Sequence, residues 1–134
     1  MRAIIIVISI DRDFSNYDFL KKYITFIKQN YDVKEFRAVT NNLLQQFNKR
    51  NSNLITLYTI DWGDLSCGRI TKNNYGKEYN ADAPQIAAQK VVDGASHFAI
   101  IGKGDYFINK LAKEDLEEVI IDMDNLDSKK IYKF

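Results

Sequence analysis

Apolar residues bunch near the start of the chain, where Ile4, Ile5, Ile6, Val7 and Ile8 run unbroken before the charged tripeptide Asp11-Arg12-Asp13. A run this β-branched predicts a central strand buried on both faces, followed by a loop at its carboxyl end. The spacing then changes. Phe19, Leu20, Tyr23, Ile24, Phe26 and Ile27 recur every three or four residues, which predicts an amphipathic helix over Tyr17–Asn30 with Ser15 as its cap. Val33–Val39 reads as a second strand. Thr40-Asn41-Asn42 caps a second helix with Leu43, Leu44 and Phe47 on its inner face, and the Asn-rich stretch Asn48–Asn53 is the turn out of it. Leu54–Ile60 runs more than it alternates and reads as a third buried strand.

From Asp61 to Ala83 the periodicity stops. Gly63, Gly68, Gly76, Asn73, Asn74 and Asn80 break it up, while Trp62, Tyr75 and Tyr79 remain. A connection of about twenty residues without a pattern of its own points either to a functional lid or to a disordered insertion. Pro84 then marks a helix start with Asp82 or Ala83 at the cap, and Ile86, Ala87, Lys90 and Val91 lead to Gly94 as its stop. His97–Ile101 is a fourth strand ending at Gly102-Lys103-Gly104. Tyr106–Leu111 is helical, Val119–Ile121 is a fifth strand, and Ile131–Phe134 is a weaker strand candidate at the sheet edge.

Strands alternating with helices predict parallel pairing through right-handed crossovers. The expected fold is therefore α/β, a single domain over residues 1–134 with a long loop at about 61–83. It is a three-layer sandwich with a mostly parallel sheet of four or five strands in the order 3-2-1-4-5. Its cleft lies over the carboxyl ends of strands one and four, where the order reverses.

Composition narrows the functions on offer. The 134 residues are 28% charged and 46% hydrophobic, with a formal net charge of +1. That balance has neither the positive excess of a non-specific nucleic-acid binder nor the apolar depletion of a disordered chain. Charge is uneven: residues 1–50 hold nine Lys/Arg against five Asp/Glu, and residues 111–134 hold four against seven. The single cysteine, Cys67, has no internal disulfide partner and no neighbour at metal-ligand spacing, which suits a reducing, cytoplasmic setting. Met1-Arg2 and the short apolar stretch after them predict neither a membrane span nor a cleaved leader. Abundant Asn, Lys and Ile with one Pro is the composition of an AT-rich genome, as in many phages and low-GC bacteria.

Four landmarks together resemble the SLOG superfamily, the Rossmann-like group that includes the DNA-processing protein A domain and the "lonely guy" cytokinin-activating enzymes. The likeness is to its small phage and bacterial members, which begin with a strand, Gly-Ser-Arg-Asp-Phe and then a Tyr. Here the strand leads into Ile10-Asp11-Arg12-Asp13-Phe14, with Tyr17 three residues on. Asp61-Trp62 matches the family's Asp-Trp pair after the third strand, and Val92-Asp93-Gly94-Ala95-Ser96 matches its entry to the fourth. The departures are equally specific. Val39-Thr40-Asn41 stands where the family has a glycine-rich Gly-Ala-Asp turn, and Ala87-Ala88 stands where it has Arg-Asn. The usual phosphate grip is therefore missing from an otherwise retained scaffold.

The resemblance implies a nucleotide or nucleotide-derived ligand at the carboxyl edge of the sheet; with no zinc pattern or Walker A loop in the chain, no cofactor or metal is expected. Arg12 could clamp its phosphate and Asp13 accept from its ribose, or the two could pair and tie down the loop. Asn41 could meet an anion or simply cap the second helix. Trp62 could stack on a base or fold the long loop onto the body, and Lys103 could add an ammonium or sit in an ordinary turn. His97 reads as structural, and Glu114, Asp115, Glu117 and Glu118 as a solvated helix end.

No residue is nominated as catalytic. The functional expectation is non-catalytic or weakly catalytic binding of such a ligand, and in a phage setting it extends to sequestration of a signalling nucleotide in the host cytoplasm. One alternative is a nucleoside monophosphate phosphoribohydrolase, although the Pro-Gly-Gly-x-Gly-Thr loop of the "lonely guy" enzymes has no counterpart here. The other is a protein-interaction module with a vestigial cleft that engages a host protein. The expected partners are a nucleotide-like small molecule and a second copy of the chain, as a homodimer or higher homo-oligomer. Neither nucleic acid nor membrane is expected.

Overall fold

A computed structural model of the chain describes residues 3–119. Its elements are β1 (Ile4–Ile10), α1 (Tyr17–Asn30), β2 (Val33–Val39), α2 (Asn42–Arg50), β3 (Ile55–Tyr58), β4 (Ile70–Lys72), β5 (Glu78–Asn80), α3 (Ala83–Val92), β6 (His97–Ile101), α4 (Tyr106–Asp115) and β7 (Glu117–Glu118). Five strands form one sheet in the order β3-β2-β1-β6-β7, and every pair in it is parallel. This is the α/β sandwich with a mostly parallel sheet that the alternation predicts. The order has the expected 3-2-1-4-5 form with β6 as strand four, but the described edge strand β7 is Glu117–Glu118, just ahead of the expected Val119–Ile121: the pair read as part of a solvated helix end lies past the end of α4 and runs parallel to β6. The expected strand at Ile131–Phe134, and most of that at Val119–Ile121, lie outside the described residues.

The β1 run works because period 2 gives each face its own helices. Ile4, Ile6, Ile8 and Ile10 pack with Leu20, Tyr23, Ile24 and Ile27 of α1 and with Leu44 and Phe47 of α2. Val7 points the other way, against Ala88 and Val91 of α3 and Ile108 and Ala112 of α4. Each fully buried Ile or Leu contributes roughly 1.5–3 kcal/mol relative to exposure, so β1, with Ile6, Val7 and Ile8 all inaccessible, contributes to the core on both faces of the sheet. Helices α1 and α2 cover one face and α3 and α4 the other. The sheet thus changes winding direction at β1, where Ile6–Ile10 pairs with His97–Ile101.

Local signals set most boundaries. Asn41 caps α2 by accepting from the Leu44 N–H at 2.8 Å, and Asp105 caps α4 by accepting from the Ile108 N–H at 3.0 Å. The cap of α1 is Asn16 rather than Ser15, its Oδ1 accepting from the Phe19 N–H at 3.0 Å. A helix that starts at Tyr17 places Asn16, not Ser15, three residues before that donor. Helix α4 runs to Asp115, one turn beyond the expected end at Leu111, because Ala112 is buried against α3 and β6.

The 61–83 segment has structure that its lack of apolar periodicity concealed. It carries the antiparallel hairpin β4–β5, with Ile70 opposite Asn80 and Lys72 opposite Glu78. Polar contacts hold it. Asn80, 1% exposed, donates from Nδ2 to the carbonyls of Asp64 (3.0 Å) and Cys67 (2.9 Å) and accepts at Oδ1 from the Asp82 N–H (2.9 Å). The Asp82 carboxylate receives the N–H and Nε of Arg69 at 2.9 and 3.0 Å.

Candidate functional site

The carboxyl ends of β1 and β2 and the start of α4 enclose a cleft of about 90 Å³, lined among others by Ile8, Ile10, Arg12, Thr40, Asn41 and Asp105. Its position follows from the fold. The expected cleft lies over the carboxyl ends of strands one and four, but no residue of β6 is in this lining, which sits instead at the ends of β1 and β2; of the helices whose starts reach it, α2 follows β2 and α4 follows β6. Asn41 and Asp105 are the caps of α2 and α4, so the positive ends of two helix dipoles, each roughly half a unit charge, face the cleft. Arg12, on the exposed turn after β1, brings a full positive charge. The Asp105 carboxylate is the one acid in the lining, and one of its oxygens is engaged by the Ile108 N–H.

The predicted site residues divide. Arg12 and Asn41 line the cleft together; Asp13, Trp62 and Lys103 are not in its lining. Asp13 is exposed on the same turn as Arg12. Trp62 is 44% exposed in the 61–82 segment, its ring edge-on to Tyr79 at 6.1 Å. Lys103 sits in a turn filled by the protein itself: its N–H donates to Asp11 Oδ1 at 3.0 Å and its carbonyl accepts from Asn109 Nδ2 at 3.1 Å. Gly102 adopts φ +66°, and a Cβ there would collide with the Asp11 carboxylate, so glycine is required by the turn.

Sequence reading passed over three members of this region. Thr40 lines the cleft, its hydroxyl accepting from Gln45 Nε2 at 2.9 Å. Asp105 was legible as an acid just ahead of a helical pattern. Ser9 is the polar interruption of the β1 run. It is fully buried; its hydroxyl donates to Asn109 Oδ1 and accepts from the Asp105 N–H at 2.8 Å, fastening the start of α4 to the central strand.

Burial, with the Glu118 carboxylate adding to it, pushes the Tyr23 phenol well above its usual range, and its hydroxyl donates to the Ile100 carbonyl at 2.9 Å. A hydrogen bond from Arg37 holds the Glu35 carboxyl below the ordinary range, those from Ser66 do the same for Asp64, and those from Arg69 for Asp82. Among the described residues, no three His, Cys, Asp or Glu side chains are placed to hold a metal ion, and no helix is long and apolar enough to cross a membrane.

The comparisons with known proteins come to one finding. No protein-family model, no curated protein and no solved structure matches the chain.

Proposed function

We propose that this protein binds a nucleotide or nucleotide-derived ligand at the carboxyl edge of its sheet, as a divergent relative of the small SLOG proteins, and holds it without transforming it. The observation that carries the reading is the convergence of Arg12 and the N-termini of α2 and α4 on one cleft at the point where the strand order reverses. Backbone N–H groups at a helix start and a guanidinium fork are the donors that a phosphate takes. The volume of about 90 Å³ is small beside the roughly 300–1,000 Å³ of clefts that enclose whole ligands. One phosphate therefore enters, and the rest of the ligand lies across the turns that bear Arg12, Asp13 and Lys103. Sequestration of a signalling nucleotide is the biological role that such binding without chemistry would serve.

The test is native mass spectrometry of gently purified protein, with identification of anything released on denaturation, followed by calorimetric titration of cyclic and ADP-ribose-type nucleotides. Saturable binding that Arg12→Ala weakens about tenfold or more is the expected result, since a charge-assisted bidentate contact carries about 1.5–3 kcal/mol. Failure of every such nucleotide to bind refutes the reading.

A second reading rests on a different observation. Trp62, Leu65, Ile70 and Tyr75 are exposed large apolar residues within one segment of about twenty residues, the last at 95%. Apolar residues clustered in this way favour a protein-interaction role for the hairpin. Co-purification of one stoichiometric polypeptide, undisturbed by Arg12→Ala, would support it over the nucleotide reading.

A further inference from the structure

The cleft that offers donors to a phosphate also holds a carboxylate, and the balance of the two bears on which phosphate it takes. Arg12 forms no ion pair among the described residues, so its charge is open to a ligand. Asn41 and Asp105 each accept from the third N–H of their helix, which leaves the first two N–H groups of α2 and of α4 for an anion. The Asp105 carboxylate opposes them. One of its oxygens takes the Ile108 N–H, and the other has no partner among the described residues. We propose that the cleft selects a phosphodiester, with its single negative charge, over a terminal phosphate, and that Asp105 makes the selection; this rests on the nucleotide reading above.

The charges carry the argument. Arg12 contributes one positive charge and the two helix starts about half each, against one negative charge on Asp105, so the lining has a surplus of about one. A diester matches that surplus. A terminal phosphate carries about 1.5 to 2 negative charges at pH 7, and the second would meet the Asp105 carboxylate inside a cleft of about 90 Å³. The rim gives no relief. Asp11 and Asp13 flank Arg12 and Asp61 follows the lining residue Ile60, three acids to set against Lys103 in the turn before α4. The free Asp105 oxygen, which repels a phosphate oxygen, accepts instead from a sugar hydroxyl beside the diester.

The plain alternative is that Asp105 is only a cap whose charge suits a helix start. Asn16 and Asn41 make the same bond for α1 and α2 without a charge, and asparagine caps as well as aspartate does. The carboxylate is therefore not needed to start α4, whereas any anion entering the cleft meets it.

The test is calorimetric titration of the full chain at low ionic strength with adenosine monophosphate and with its phosphate methyl ester. The two probes share base, sugar and phosphate and differ by one ionisable oxygen and one methyl. Wild type, Asp105→Asn and Arg12→Ala are compared, with circular dichroism as the check on folding; Asp105→Ser, another uncharged cap, replaces Asp105→Asn should that variant unfold. In wild type the ester should bind at least about tenfold tighter than the monophosphate. Asp105→Asn should narrow the gap to about threefold or less through a gain by the monophosphate, and Arg12→Ala should weaken both probes. Equal or tighter binding of the monophosphate by wild type would overturn the selection and leave the nucleotide reading standing. A gap that survives in Asp105→Asn would overturn the role of Asp105, and binding of both probes untouched by Arg12→Ala would place them outside the cleft and overturn it too. Binding of neither probe at about 10 mM would remove the inference together with the nucleotide reading beneath it.

Discussion

Replacing Ser9 by alanine removes one oxygen from the centre of the sheet and leaves two partners behind. The hydroxyl is fully buried and serves both the Asp105 N–H, at 2.8 Å, and Asn109 Oδ1. An orphaned buried donor or acceptor costs roughly 1–3 kcal/mol. Asn109 is half-buried and can turn toward water, whereas the Asp105 N–H is fixed by the backbone, so the total should come to about 2–3 kcal/mol. A chain of this size loses about 3–5 °C in Tm per kcal/mol, so a fall of about 10 °C is expected. Chemical denaturation followed by far-UV circular dichroism measures it, and an unchanged m value would show that the folded state keeps its compactness. A cycle with Asn109→Ala isolates the shared bond: the double variant should cost about 1 kcal/mol less than the two singles together. A Ser9→Ala cost under about 0.5 kcal/mol, or strict additivity, would refute the view that this hydroxyl fastens α4 to β1.

Three further outcomes are expected. Asn80→Ala should loosen the hairpin but not the sheet, seen as faster amide exchange confined to about residues 62–82, because the side chain's contacts all close within that segment. Ser52→Gly should stabilise by about 0.5–1 kcal/mol in the same denaturation assay. Ser52 sits at φ +56° just past α2, where the Asn53 N–H reaches back to the Asn48 carbonyl at 2.9 Å; glycine relieves about 1–2 kcal/mol of left-handed strain and returns part of it as unfolded-chain entropy. Acid should weaken the fold: Glu35, Asp64 and Asp82 have depressed folded values, so their contribution is complete above the ordinary carboxylate range and fades as the pH falls through those lower values. Asp82→Asn should flatten the denaturation midpoint between about pH 5 and pH 2.

The residues explain how much could be read in advance. The Ile run of β1 announced a strand buried on two faces, and the period changes after it gave each helix, since burial patterns are local in the chain. Asn41 was legible because a cap and its donor lie three residues apart. Ser9 was not: its partners are Asp105 and Asn109, about a hundred residues on, and nothing in an apolar run says which hydroxyl is satisfied and by what. The hairpin was hidden for the opposite reason, since Asn80, Asp64 and Asp82 do the work that apolar periodicity does elsewhere. At the cleft the carboxyl edge of the sheet was foreseeable, and so were Arg12 and Asn41 as members, but not which strand ends: the lining comes from β1 and β2 rather than from strands one and four. Lys103 and Trp62 were not placeable, because whether a side chain faces a cleft depends on turn geometry. The glycines around Lys103 make room for Asp11 and Asn109 rather than for a ligand.

The self-sufficiency of the hairpin segment has a bearing on how this protein can change. Its key polar contacts begin and end between Asp61 and Asp82, and the sheet on either side is held by its own apolar faces. Selection can therefore rewrite the exposed Trp62, Leu65, Ile70 and Tyr75, or exchange the whole appendage, at little cost to the body that carries it. A lineage under pressure to follow a shifting target would vary there first, keeping the strand-end cleft in register while its outward face drifts.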